Sequence, residues 1–342
     1  MQPAPSCSRP ALSSSAPLSH RLTWRVLVCL MLPPVLWSAN AVVGRLMVGV
    51  LPPVTMNAVR WLLVGLLLLP LARRALAHPQ EWLSRWRHFI WLGGLGVGCY
   101  NAMQYLALHT ASPVNVTLIG SSVPVWMMLV GVVAYGQVLV LVLRQLLGAV
   151  LSIGGVMLVM SKGQWSTFEH WQWVPGDLYM LAASLAWAIY SWMLARPPSS
   201  LVGPERPSWT WADFLWVQIV FGLLWGLAGT TLEHTLIDQS MGWDWLRDPK
   251  AWGALLFLAV GPSIIAYQCW GVAVQAVGPT ITSFFGNFTP LFAALWSLAL
   301  LGDAPRWYHA AAFVLILMGI ALSSGLLKLQ RRSPPRPLPK GG

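Results

Sequence analysis

Charge is what this chain lacks. Asp, Glu, Lys and Arg make up 9% of its 342 residues, against roughly 25% in soluble domains. A fold that holds itself in water with a charged surface is thereby excluded. Acidic residues are scarcest, ten against 21 Lys and Arg, and none lies deep inside an apolar run. Proton relays within membranes usually pass through buried carboxylates or histidines, so carboxylate-based proton exchange loses its ordinary carrier.

Cysteine and histidine patterns are missing too. Cys7, Cys29, Cys99 and Cys269 form no CxxC pair and have no His at ligand spacing, which argues against a disulfide framework and a metal site. The seven His are scattered without an HxxxH pair. With no nucleophile beside an acid/base partner, no catalytic residue, metal or cofactor is expected, and the chain reads as not an enzyme. Long polar segments are absent as well. The connections 73–88, 162–175, 196–210 and 231–250 are each too short for a soluble domain of even about 50 residues.

Apolar residues fill the space that remains, at 56% of the chain. Runs long enough to cross a hydrocarbon core of about 30 Å recur throughout. The expected spans are 24–46, 54–72, 89–108, 114–134, 145–161, 176–195, 211–230, 251–275, 280–300 and 307–327. Most of the 22 Trp fall near span ends, where an amphipathic indole suits the headgroup region. The stretch from Arg21 through "SANA" (38–41) also fits a signal peptide, but its apolar segment runs on to residue 51. Residues 1–23, rich in Ser and Pro, read as a disordered cytoplasmic tail, and 328–342 as a basic one.

The basic residues report orientation, because Lys and Arg mark the cytoplasmic side. They gather in the N-terminal tail, in 73–87, at Arg144, at Arg196 and Arg206, and after Lys328. Arg45, Lys162, Arg247, Lys250 and Arg306 fall on the other side, and Arg60 lies within a span. Both termini are expected in the cytoplasm, as an even number of spans requires. Nucleic acid is not an expected partner, since the basic residues sit at span ends and in tails rather than on a soluble face.

One pattern occurs twice. "HTASPVNVTLIGSSVPVWMML" (109–129) lies without a gap on "QAVGPTITSFFGNFTPLFAAL" (275–295), a displacement of 166 residues. It pairs Pro113 with Pro279, Gly120 with Gly286 and Pro124 with Pro290. Proline within a helix removes a donor and clashes with the carbonyl four residues earlier, here a glycine in both copies. Such a break at membrane depth is tolerated where protein or a water-filled cavity satisfies the backbone. Five spans per copy is an odd number, so the second copy enters the membrane inverted. The expected fold is an all-α integral membrane protein of ten transmembrane helices in two inverted-topology five-helix repeats, 24–162 and 176–327. Inverted repeats of this kind mark secondary transporters with midplane sites.

The segments "LWSANAVVGR" (36–45), "MNAVRWLLVG" (56–65), 95–125 and 260–303 resemble the drug/metabolite transporter superfamily, in its EamA-type, ten-helix branch. Gly302-Asp303 fits that family's Gly-acidic turn, whereas Gly136-Gln137 departs from it. The resemblance implies a central cavity lined by spans 1, 3, 4, 6, 8 and 9, with alternating-access export of small metabolites or drugs. It places the chain in the plasma membrane, a bacterial inner membrane.

Polar groups inside a membrane default to functional candidates. Substrate contact is expected from Asn40, Tyr100, Asn101, Gln104 and Ser121 in the first half, and from Trp187, Tyr190, Tyr267, Trp270 and Asn287 in the second. Arg60 either snorkels outward or caps carbonyls, or it holds a substrate carboxylate. Glycine pairs Gly94 and Gly98, and Gly222 and Gly226, read as packing surfaces. The partners expected are a small neutral or zwitterionic molecule, amino-acid-like or aromatic, and the lipid bilayer, with a homodimer left open. A membrane-embedded enzyme and a substrate-less adaptor remain the alternative classes.

Overall fold

The computed structural model describes residues 23–111, 113–137, 139–169, 172–202, 206–237, 244–301 and 306–324. Both expected tails, apart from Thr23, lie outside that set, as do Asp238 and the Gly302-Asp303 turn. Every regular element among the described residues is helical. The first half runs through α1 (Trp24–Leu46), α2 (Pro53–Leu68), the short α3 (Arg73–Ala77) and α4 (Pro79–Leu83), then α5 (Trp86–Gly93). A π turn (Gly94–Cys99) joins α5 to α6 (Tyr100–Thr110), followed by α7 (Pro113–Gly120), α8 (Val123–Tyr135) and α9 (Leu139–Met160). The second half has α10 (Pro175–Ala195), α11 (Trp211–Leu232) and α12 (Pro249–Leu258). A π turn (Ala259–Ile265), distinct from a shorter one at Glu233–Ile237 that follows α11, leads into α13 (Ala266–Val277), then α14 (Pro279–Gly286), α15 (Thr289–Leu301) and α16 (Trp307–Ser324).

Proline opens α2, α10, α12 and α14. Its missing N–H costs nothing there, because the first helical donors have no intrahelical partner. Among the described residues, seven stretches are long and apolar enough to cross a membrane: Trp24–Gly44, Asn115–Tyr135, Val142–Met160, Pro175–Ala195, Trp211–Thr235, Pro249–Val277 and Trp307–Ser324. The other three expected spans fall in α2, of 16 residues, in α5 with α6, and in α14 with α15. Exposed Trp24, Trp86, Trp165, Trp173 and Trp307 stand at or near helix ends, in keeping with interface anchoring.

Helices pair in a crossed arrangement: α1 packs on α13, α6 on α10, α2 on α11 and α9 on α16. The last pair approaches backbone to backbone. A Cβ added at Gly148 would fall 2.6 Å from the Gly319 carbonyl oxygen, so neither glycine can be replaced without separating the helices. The glycines read as packing surfaces behave so in part. A Cβ on Gly98 would meet Trp225 at 2.7 Å and the Gly222 carbonyl at 3.2 Å.

Two carboxylates fasten α11 to the first half. At its start Asp213 closes a capping box with Thr210 and accepts from the backbone N–H groups of Arg74 at 3.1 Å and Ala75 at 2.9 Å. Just past its end Glu233, buried, accepts from the N–H groups of Val54 and Thr55 at 2.8 Å and from the Thr55 hydroxyl at 2.9 Å. Each carboxylate thus satisfies donors that open a helix, where negative charge is also favoured by the helix dipole.

Candidate functional site

Both proline-marked helices are broken where the Gly and Pro frame places the break. Helix α7 stops at Gly120 and α8 resumes at Val123; α14 stops at Gly286 and α15 resumes at Thr289. The residues in each gap, Ser121–Ser122 and Asn287–Phe288, correspond under the 166-residue displacement. The two breaks face one cavity of about 970 Å3 of empty space, part of it open at its mouth.

Helices α1, α6, α7, α10, α13 and α14 and both breaks contribute to the wall of this cavity. Of the expected contact residues, Asn40, Tyr100, Asn101, Gln104, Ser121, Trp187, Trp270 and Asn287 line it, together with Gly120, Gly286 and Pro290. No lining side chain among the described residues carries a formal charge. Gly286 faces open space, with nothing within 4 Å of an added Cβ. Asn287 donates to the Ser152 hydroxyl on α9 at 2.8 Å. Ser121 turns back to donate to the Leu118 carbonyl at 2.7 Å.

Rings close one end of the cavity. Trp187 sits at the centre, with ring centroids 4.7 Å from Tyr100, 5.0 Å from Tyr190, 5.2 Å from Trp270 and 5.4 Å from both Trp37 and Tyr267. Polar edges hold these rings in place. Trp270 donates to the Ser191 hydroxyl at 3.1 Å, and Asn101 to the Tyr267 hydroxyl at 3.4 Å. The π turns take part as well: Trp37 donates to the Pro262 carbonyl at 3.1 Å, while Tyr267 donates to the carbonyl of Gly96. Gly96 and Pro262 are themselves 166 residues apart, so each half supplies an aromatic donor to the π turn of the other. Gly96 also leaves room for the Tyr190 ring, which an added Cβ would strike.

Tyr190 and Tyr267 line a different pocket, on the far side of this ring layer. Pro124 is buried outside the cavity wall. Arg60 is not among the cavity-lining residues, nor does it reach the interface. It is 1% exposed, and its Nη1 donates to the Tyr105 hydroxyl at 2.9 Å and to Asn40 Oδ1 at 3.3 Å. Trp61 and Tyr105 hold the guanidinium over their rings, at 5.1 and 5.8 Å. Its Nε and Nη2 are buried without partners. The Tyr105 hydroxyl also donates to Asn40 Oδ1 at 2.7 Å. The oxygen of Asn40 is thereby taken, and its amide N–H is the group it can offer the cavity.

A model of the EamA-like transporter family matches the chain twice, over residues 24–161 and 174–325. The chain belongs to the EamA-like transporter family. Among relatives of this EamA-like protein, an uncharacterized transporter of Archaeoglobus fulgidus is 25% identical over 86% of this chain and 96% of its own length. The uncharacterized transporter YyaM of Bacillus subtilis is 24% identical over 71% and 74%, and protein PecM of Dickeya dadantii 26% identical over 76% and 80%. A solved crystal structure matches with a TM-score of 0.64 at 22% identity, covering 90% of this chain and 99% of that one, a likeness of fold alone. The chain is therefore a multi-pass membrane protein of a transporter family.

Within this EamA-like fold, several wall residues escaped sequence reasoning. Met180 and Ser283 line the cavity but look like ordinary helix residues in the sequence. Trp37 carried a usable signal, since it aligns with Trp187 at a displacement of 150 residues. Tyr105, buried behind the wall, had none, because its role depends on Asn40 and Arg60 on two other helices. Among the described residues no group of three or more His, Cys, Asp or Glu could hold a metal ion.

Proposed function

We propose that this protein exports small neutral or zwitterionic metabolites, amino-acid-like or aromatic, by alternating access through the cavity between two inverted five-helix repeats, 24–162 and 176–327. The observation that carries the reading is the paired interruption. Each half has a π turn and a helix break, and both coincide under one displacement of 166 residues. The crossed packing supports it, since α1 on α13 and α6 on α10 are the same contact with the halves exchanged. Such repeats can trade conformations, opening a shared site to one side and then the other.

The wall chemistry supports the substrate class. Amides, hydroxyls and rings bind flat or polar neutral groups without desolvating a fixed charge. The untaken donors of Arg60, behind Asn40 and Tyr105, would serve a substrate carboxylate once that pair parts. The absence of carboxylates from the described cavity wall favours passive or exchange transport over proton exchange. The Lys and Arg bias supports an orientation with both termini cytoplasmic, and the family resemblance supports a plasma-membrane location.

The test is efflux from proteoliposomes loaded with labelled amino acids and aromatic metabolites, with and without a proton gradient. Wild type should show saturable efflux, reduced about tenfold or more in Asn287→Leu if that residue binds at the transition between states. Equal flux in the two proteins would reduce the broken helix to a packing kink.

A further inference from the structure

The ring layer has a second side, and a pocket lies against it. Trp187 and Trp270 line the cavity, whereas Tyr190 and Tyr267 line a separate pocket with about 1400 Å3 of empty space, part of it open. The partition is two rings thick, with Trp187 and Tyr267 centroids 5.4 Å apart. Helix α10 measures the separation along the fold: Met180 lines the cavity and Ala195 the second pocket. At about 1.5 Å per residue, those positions are about 22 Å apart.

This pocket lies between α11 and α13, and the halves differ there. In the first half α2 packs on α6; in the second, α11 and α13 face each other across the pocket. The polar groups differ in the same way. Arg60 and Gln218 stand at the same offset from the starts of α2 and α11. Arg60 meets Tyr105 and Asn40, but Gln218, 2% exposed, has a buried Oε1 with no partner. Its orientation is fixed, because its amide nitrogen donates to the Phe214 carbonyl at 3.2 Å. A buried acceptor left unpaired is destabilising, and it calls for a donor. The surrounding wall includes the rings of Tyr190, Trp209, Trp211 and Phe214, and Arg206 is its one formally charged side chain among the described residues.

We propose that the pocket between α11 and α13 is a second binding site, for a flat aromatic molecule carrying an N–H or O–H donor that pairs with Gln218. In the transport reading above, on which this assignment of place rests, it is a second station on the substrate path, closed off from the cavity by the ring layer. Binding itself requires no flux and is tested without it.

Gln275, exposed on the pocket wall, is replaced as Gln275→Cys in a Cys7→Ser background, and labelling by a fluorescent maleimide is timed in nanodiscs. The same background without Gln275→Cys supplies the rate from the remaining cysteines. The probe is 5-hydroxyindole, which should slow labelling of Gln275→Cys in a saturable way. Adding Gln218→Leu should raise the half-protecting concentration about tenfold, the equivalent of one hydrogen bond of about 1.4 kcal/mol. The donor-less analogue 1-methyl-5-methoxyindole should show the same rise on the unaltered pocket, which guards against a Gln218→Leu protein that has merely lost its fold. Absence of protection, or equal protection by both indoles, overturns the assignment. Either result leaves the efflux measurement standing, just as failed efflux leaves protection intact.

Discussion

The two broken helices share a frame of Gly and Pro but are tied down differently. In the first, Ser121 and Ser122 turn back on their own helix, donating to the Leu118 and Ile119 carbonyls at 2.7 and 2.6 Å. In the second, Asn287 reaches across to Ser152 on α9 at 2.8 Å. Gly and Pro decide where a helix stops, because they act on backbone alone. The residues between them decide what the loosened turn holds. The first break is self-contained; the second joins α14 and α15 to a helix of the opposite half.

The largest way to break this comparison is at the π turns, where the halves also differ. Gly96 admits the Tyr190 ring, while its counterpart Pro262 already carries a side chain. Gly96→Val should overpack the ring layer and cost about 1–3 kcal/mol or more, read as a fall in melting temperature. Gly286→Ala, with open space around it, should stay within about 0.5 kcal/mol of wild type. An unchanged melting temperature for Gly96→Val would mean that Tyr190 has another place to go.

A smaller effect sharpens the contrast between the breaks. Ser152→Ala removes the acceptor of Asn287 and should destabilise the protein by about 1 kcal/mol, measured by unfolding in mixed micelles. Ser121→Ala removes only a bond within its own turn and should cost less than half of that. A reversed order would contradict the self-contained reading of the first break. Between the Ser152 and Ser121 effects in size, Trp37→Phe and Tyr267→Phe each free one π-turn carbonyl. They should cost about 0.6 kcal/mol apiece, and unequal losses would show that the crossed latches are not equivalent.

What could be read from the sequence follows the same division. The breaks at Gly120–Pro124 and Gly286–Pro290 were legible because proline acts locally, and so were most of the amides and rings that line the cavity. The first π turn was not: Gly94–Cys99 contains no proline, and its shape depends on Tyr190 and Tyr267 from the other half. Tyr190 and Tyr267 were named as contacts, but the sequence could not say on which side of Trp187 they stand. Arg60 was expected either to snorkel or cap carbonyls, or to hold a substrate carboxylate. Its inward course depends on Asn40 and Tyr105, 20 and 45 residues away, acceptors that only the packing of α1, α2 and α6 brings together.

Asp213 and Glu233 grip the first half from opposite ends of α11, at α3 and at the start of α2. A rod pinned at both ends turns with whatever it is pinned to. Helix α11 is thus clamped along its whole length to the first half, with α2 against it, whereas α1 and α10, which bear Trp37 and Trp187, carry no such carboxylate clamp to α11.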